Sequence, residues 1–239
     1  LVGPLPALKA LVELPQRYPS LGTVEEAEFH LPGQLARIID MGLPTDLREA
    51  GVTEVDIQLL AAAWHRRFLA FHPRSELAPQ AGLQLAKALL DLDAPAAAAR
   101  QARISASRAP DDPVLDALVF LESLALSRDG QAAEARRLLR RLADSADWPT
   151  PGGGRGPARL RPDARYALAR LDEAAGRYEE AAEGYAEISE QFSELKEARE
   201  ALVRVSLDSP PIVTSTHGQP GRTPLSRWRR QAGCGHAHR

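Results

Sequence analysis

The stretch 164–192, ARYALARLDEAAGRYEEAAEGYAEISEQF, decides how the rest of the chain is read. It reads as two amphipathic helices joined by a tight turn at Gly176-Arg177. Small residues, Ala169 and Ala181, fall where two helices must touch. Large ones, Leu168, Leu171, Tyr178, Tyr185 and Ile188, fall where they fill the space beside them. A helical pair of this size cannot bury its own apolar face. It needs stacked neighbours, and the chain holds weaker copies upstream.

The copies align on their turns. Gly176 is followed by Ala181 and Tyr185, Gly130 by Ala135 and Leu139 at the same offsets, and Asp93 by Ala98 and Ala102. Gly or Asp suits a turn that needs unusual backbone angles, and Pro110 closes the first unit because proline cannot continue a helix. The turns lie 37 and then 46 residues apart. The longer gap contains TPGGGRGP at 150–157, a Gly/Pro run with no apolar period, read as a flexible insertion. Without it the spacing returns to about 34 residues, the period of one common helical repeat.

A fainter echo lies at the N-terminal end. Tyr18-Pro19 precedes Ala27, Phe29 and Leu31, and His72-Pro73 precedes Ala81, Leu83 and Leu85, every pair offset by 54. This part reads as a degenerate repeat with an inserted loop around Met41 to Gly51. Thr23 with Glu26 and Thr53 with Asp56 resemble capping boxes, and Asp112-Pro113 reads as an N-cap followed by a first-turn proline. The helix after Thr53 runs to about Phe71 and carries Ile57, Leu60, Trp64 and Phe68 at near-helical spacing. A last helix, about Glu194 to Val205, is expected to cap the stack, and the pattern fails after Ser209. The organisation expected is therefore a degenerate helical region at 1–67, repeats at 68–206 with a loop at 147–161, and a disordered or truncated tail at 207–239.

Composition agrees with helix. Hydrophobic residues make up 44% of the 239 but aromatics only 5%, so alanine and leucine must do most of the packing. Net charge is −2, and residues 208–239 alone carry +4, which leaves the body at about −6 by subtraction. An acidic body argues against a nucleic-acid groove. The single cysteine, Cys234, rules out an intrachain disulfide, and no apolar run is long enough to span a membrane. The chain opens on Leu1 without a visible signal peptide and is read as a fragment.

At these residues the chain resembles the tetratricopeptide repeat family. Leu168, Ala169, Gly176, Tyr178, Ala181, Tyr185 and Ile188 match its signature positions in the third unit, with Asp172 where an aromatic residue or leucine is usual. The second unit keeps Leu126, Gly130, Ala135, Leu139 and Leu142 but has Ser123 and Ala132 at two signature sites. The first keeps Leu85, Ala86, Ala98 and Pro110 and lacks the turn glycine. The resemblance covers roughly 68–206 and implies an all-α, right-handed solenoid of helical hairpins. The stretch FLAFHPRSELAPQAGLQLAKALL is also similar to repeats of bacterial cell-envelope proteins, among them large alpha-macroglobulin-like ones. That likeness implies an envelope or periplasmic setting and makes 211–216 the expected first strand of a following domain.

Catalytic and ligand chemistry find little support in the residues. Gly152-Gly153-Gly154-Arg155-Gly156 lacks the GK[ST] and the preceding strand of a phosphate loop. Cys234, His236 and His238 do not have zinc-site spacing, and His65 and His72 are read as surface or packing residues. No G-x-S-x-G occurs, and adjacent pairs such as Glu179-Glu180 point about 100° apart on a helix. The expectation is a non-enzyme without metal or cofactor.

A protein or peptide partner is left. In the family resembled, the first helix of each unit lines the concave face. By position that face receives Lys87, Phe120, Leu124, Tyr166, Arg170 and Glu173. The chain contains no Asn, so the family's carboxylate-clamp specificity is not carried over. The function expected is a protein–protein interaction scaffold in a bacterial envelope or assembly complex. The alternative is a structural spacer within a larger multidomain protein, with no dissociable ligand.

Overall fold

A computed structural model describes residues 23–191 of the protein. The expectations for Tyr18-Pro19, for the helix at 194–205, for the run at 211–216, for the tail and for Cys234, His236 and His238 lie outside the described residues. Those residues form an all-α helical-repeat fold with one very small sheet. In chain order the elements are α1 (Thr23–Asp40), α2 (Thr45–Glu49), α3 (Glu54–Phe71), α4 (Ala78–Asp91), α5 (Pro95–Arg108), α6 (Leu115–Arg128) and α7 (Ala132–Asp144). The strands β1 (Trp148–Pro149) and β2 (Arg155–Gly156) follow, then α8 (Arg161–Ala174) and α9 (Tyr178–Gln191). Two compact units divide them. Residues 23–138 and 145–158 belong to the first, and 139–144 and 159–191 to the second.

One turn recurs along the chain. Residues 93, 130 and 176 take the left-handed backbone conformation, with φ of 54°, 80° and 73°. At each, the turn residue's amide donates to the carbonyl three residues back, as in Asp93 to Leu90 at 3.2 Å. The next amide reaches five residues back: Ala94 to Leu89 at 2.9 Å, Gln131 to Leu126 at 2.8 Å and Arg177 to Asp172 at 2.9 Å. This pair of bonds satisfies the last carbonyls of the helix and reverses the chain within about three residues. Gly51 and Val52 repeat it after α2. The residues at the fifth offset, Ala98, Ala135 and Ala181, are all fully buried, as are Ala102, Leu139 and Tyr185 at the ninth.

In the first unit α1 packs on α3, α3 on α4, α4 on α5 and α5 on α6, with α4 also touching α6. The α1–α3 core consists of Leu31, Leu35, Ile38, Ile57 and Trp64, bordered by Ile39, Leu43, Val52 and Ala61. Thr53 and Asp56 form the expected capping box: the Asp56 amide donates to the Thr53 hydroxyl oxygen at 3.2 Å, and the Thr53 amide to the Asp56 carboxylate at 2.9 Å. A further bond from the Thr53 hydroxyl holds the Asp56 carboxyl below its ordinary pKa. The side chain of Thr23 lies outside what is described.

The structure revises several expectations. Leu60 and Tyr178 are exposed rather than buried. On α3 the inward stripe is completed by Ala61, one position round from Leu60. Tyr178 is the first residue of α9, directly after the turn. The loop at 41–51 contains the single-turn helix α2. Asp112 accepts the Val114 amide at 2.8 Å, but α6 begins only at Leu115, so Asp112-Pro113 forms a turn before the helix instead of its cap.

The Gly/Pro run is not a flexible insertion. β1 and β2 pair antiparallel, Trp148 opposite Gly156 and Pro149 opposite Arg155. The reversal between them is a three-residue loop with Gly153 at φ 77°, closed by the Gly153 amide on the Thr150 carbonyl and the Thr150 amide on that of Gly154, both at 3.0 Å. A β-turn followed by a left-handed glycine is a standard hairpin closure. β1 lies against α6, and Trp148 is 2% exposed, among the largest fully buried side chains. Arg155 ties the hairpin down by bonding Asp147 and, at 3.2 Å, Asp111.

Candidate functional site

In the second unit, α8 places Tyr166, Arg170 and Glu173 at spacings of four and three, hence on one side of the helix. Behind them lies a core of Ala169, Ala181, Ala182, Tyr185 and Ile188. Tyr166 packs on that core, its ring 5.5 Å from the Tyr185 ring. The Tyr185 hydroxyl, buried with its ring, donates to the Glu173 carboxylate at 2.7 Å. Burial first, and then this hydrogen bond and the neighbouring negative charge, push the Tyr185 pKa upward, while the Arg170 guanidinium acts in the opposite sense. Arg170 is exposed, with Tyr166 and Glu173 half-buried beside it. The face therefore offers a guanidinium, a fixed aromatic edge and an oriented carboxylate.

Asp172 and Arg165 support this face without joining it. Asp172 accepts from Arg177 at 2.9 Å across the hairpin turn, so the residue that replaces the expected apolar one fastens the turn. Arg165 donates to Glu187 at 2.9 Å and to Gln191, tying α8 to α9.

The other three expected residues lie in the first unit. Lys87 is exposed on α4, and Phe120 and Leu124 are half-buried one turn apart on α6. Since α4 packs on α6, all three belong to neighbouring first helices of successive repeats. Below them Ser123 is fully buried at the position where the other units carry Ala86 and Ala169, and its hydroxyl donates to the Phe120 carbonyl at 2.6 Å.

Three buried carboxylates among the described residues, Glu28, Asp116 and Glu122, escaped the sequence reading. Glu28, 4% exposed on α1, accepts from Arg67 at 3.4 Å and contacts His72 Nε2 at 2.9 Å. His72, at the end of α3, thus contacts the Glu28 carboxylate and is not only a surface or packing residue. Glu122, 5% exposed on α6, accepts from Arg103 at 2.7 Å, and Arg103 also reaches Glu134 at 3.0 Å. Glu122 stands where Leu85 and Leu168 stand in the other units, and that break in the repeat register was the available signal. His65, by contrast, is a packing residue: it is 7% exposed and burial lowers its pKa to about 4. These groups use their charges on one another, which fits roles in joining helices.

Among the described residues no helix is long and apolar enough to cross a membrane. Neither a protein-family model nor a curated protein sequence matches the chain.

Proposed function

We propose that this chain is a non-catalytic scaffold for protein–protein interaction, built from tetratricopeptide-like hairpins and set in a bacterial envelope or assembly complex. The observation that carries this reading is the recurrent hairpin itself. One turn geometry and one small-residue position repeat three times, and the α8 side beyond them keeps an exposed arginine beside an aromatic edge. A preformed surface of this kind binds a helix or an extended peptide with little ordering cost, and a few aromatic and arginine anchors supply most of the affinity.

The test is a cross-linking pull-down with the 239-residue chain, its Arg170→Ala variant and a Tyr166→Ala, Arg170→Glu double variant. Partners bound through α8 should be depleted in both variants while circular dichroism of the exposed-residue variant stays unchanged. Equal recovery of every partner by all three proteins would remove α8 as the binding face and leave the spacer reading, in which the repeats only hold other domains apart.

A further inference from the structure

Three residues of the 72–77 link between α3 and α4, Pro73, Arg74 and Ser75, border a groove of about 160 Å³ together with the C-terminal end of α5. Its lining includes Leu69, Arg74, Ser75, Pro79, Ser105 and Arg108. Arg74 and Arg108 are both exposed, and among the described residues neither has a carboxylate partner. Ser105 is 5% exposed, and its Oγ accepts from the Gln101 amide at 3.1 Å. The Ser105 hydroxyl lies against Gly82 of α4, so the charged part of the groove lining is the two guanidiniums.

The link between α5 and α6 carries two acidic residues. Asp111 and Asp112 lie between α5 and α6, and the hairpin at 148–156 lends Arg155 to Asp111. The acidic α5–α6 link is thus met by a cation of the chain's own, whereas among the described residues Arg74 and Arg108 pair with no carboxylate, Glu76 of the same link included. The groove is smaller than the roughly 300–1,000 Å³ of sites for cofactors and drug-sized ligands, and suits one side chain of a longer chain.

We propose that this groove docks an acidic peptide segment of a protein partner, one carboxylate held by Arg74 and Arg108, with an apolar neighbour on Leu69 and Pro79. Guanidinium–carboxylate hydrogen bonds give such a site its selectivity, and its exposure makes binding salt-sensitive. None of these residues belongs to the α8 face, so the two proposals stand or fall separately.

Fluorescence anisotropy tests it, using the 239-residue chain and a rhodamine-labelled peptide of alternating Glu and Leu, with a Gln/Leu counterpart. The Glu peptide should bind at least about tenfold more tightly than the Gln peptide. Arg74→Ala, Arg108→Ala should abolish that preference without changing the melting temperature, because both side chains are exposed. Arg170→Ala should leave it intact. Equal binding of the two peptides, or an unaffected double variant, would overturn the proposal. So would loss of the preference in Arg170→Ala alone, which would move the contact to α8. Double-variant-sensitive binding to phosphatidylserine vesicles without peptide binding would also overturn it, making the groove a lipid contact.

Discussion

The α4–α5 and α8–α9 pairs share a turn and differ in what fills the space behind it. Counted from the turn residue, the fifth, ninth and twelfth positions are Ala98, Ala102 and Ser105 in the first pair and Ala181, Tyr185 and Ile188 in the second, all buried. In α4–α5 the side chains are small and the helices close: a Cβ added at Gly82 would lie 2.0 Å from the Ser105 Oγ and 2.7 Å from its Cβ. In α8–α9 the close contact falls at a different position and is looser, 3.0 Å between a Cβ at Gly184 and that of Ala169, with the Tyr166 and Tyr185 rings packed together nearby. The turn is a matter of four backbone groups, so it survives sequence drift. The separation of the helices follows side-chain volume and does not.

The largest expected effect tests that division directly. Tyr185→Ala should cost about 3–5 kcal/mol by denaturant unfolding, since it empties the α8–α9 core and removes the hydroxyl that donates to Glu173. A loss of under about 1 kcal/mol would mean that the tyrosine pair does not hold these helices.

Acid should separate the two units next. His65 is neutral when folded because burial lowers its pKa to about 4, against 6.5 for the free side chain. Its contribution is therefore complete above pH 6.5. It is lost as pH falls toward 4, because the unfolded chain then takes a proton that the folded one refuses, at about 1.4 kcal/mol per pH unit. The second unit has no histidine among its described residues. Amide exchange in α3 should accelerate between pH 6.5 and 4 relative to α8, and His65→Leu should remove the difference. Parallel acceleration in both units, unchanged by the substitution, would contradict this.

Third, Gly82→Ala should lower the unfolding free energy by about 2–3 kcal/mol, and Gly184→Ala by about 1, because the first forces a much larger displacement of its neighbour than the second. Equal costs would show that the two crossings are alike after all. The smallest effect is a gain. Asp93 is the one non-glycine residue with positive φ among the described residues, and Asp93→Gly should raise stability by about 1 kcal/mol by relieving that conformation. A lower urea midpoint would show that the aspartate side chain supports the turn.

Much of this comparison was legible from residue order. The turns at 93, 130 and 176, the buried alanines five positions beyond them and the Thr53–Asp56 box all rest on interactions within a few residues of one another. Ala169 was recognised as a crossing residue, but Gly184, which approaches it, was not, since a helical glycine gives no sign of what lies opposite. Tyr166, Arg170 and Glu173 could be placed on one helical side from spacing alone. That Glu173 accepts the Tyr185 hydroxyl depends on how α9 lies on α8.

By itself, then, the sequence determined where this chain turns and which helix positions are small, because left-handed backbone and short-range helix hydrogen bonds are local properties. Tertiary structure alone decided that Glu28 meets Arg67 and His72, that Glu122 meets Arg103 and that Trp148 is buried by a hairpin against α6. Those contacts join separate elements, and the desolvation that makes a buried charge or indole worth placing arises only once another helix covers it.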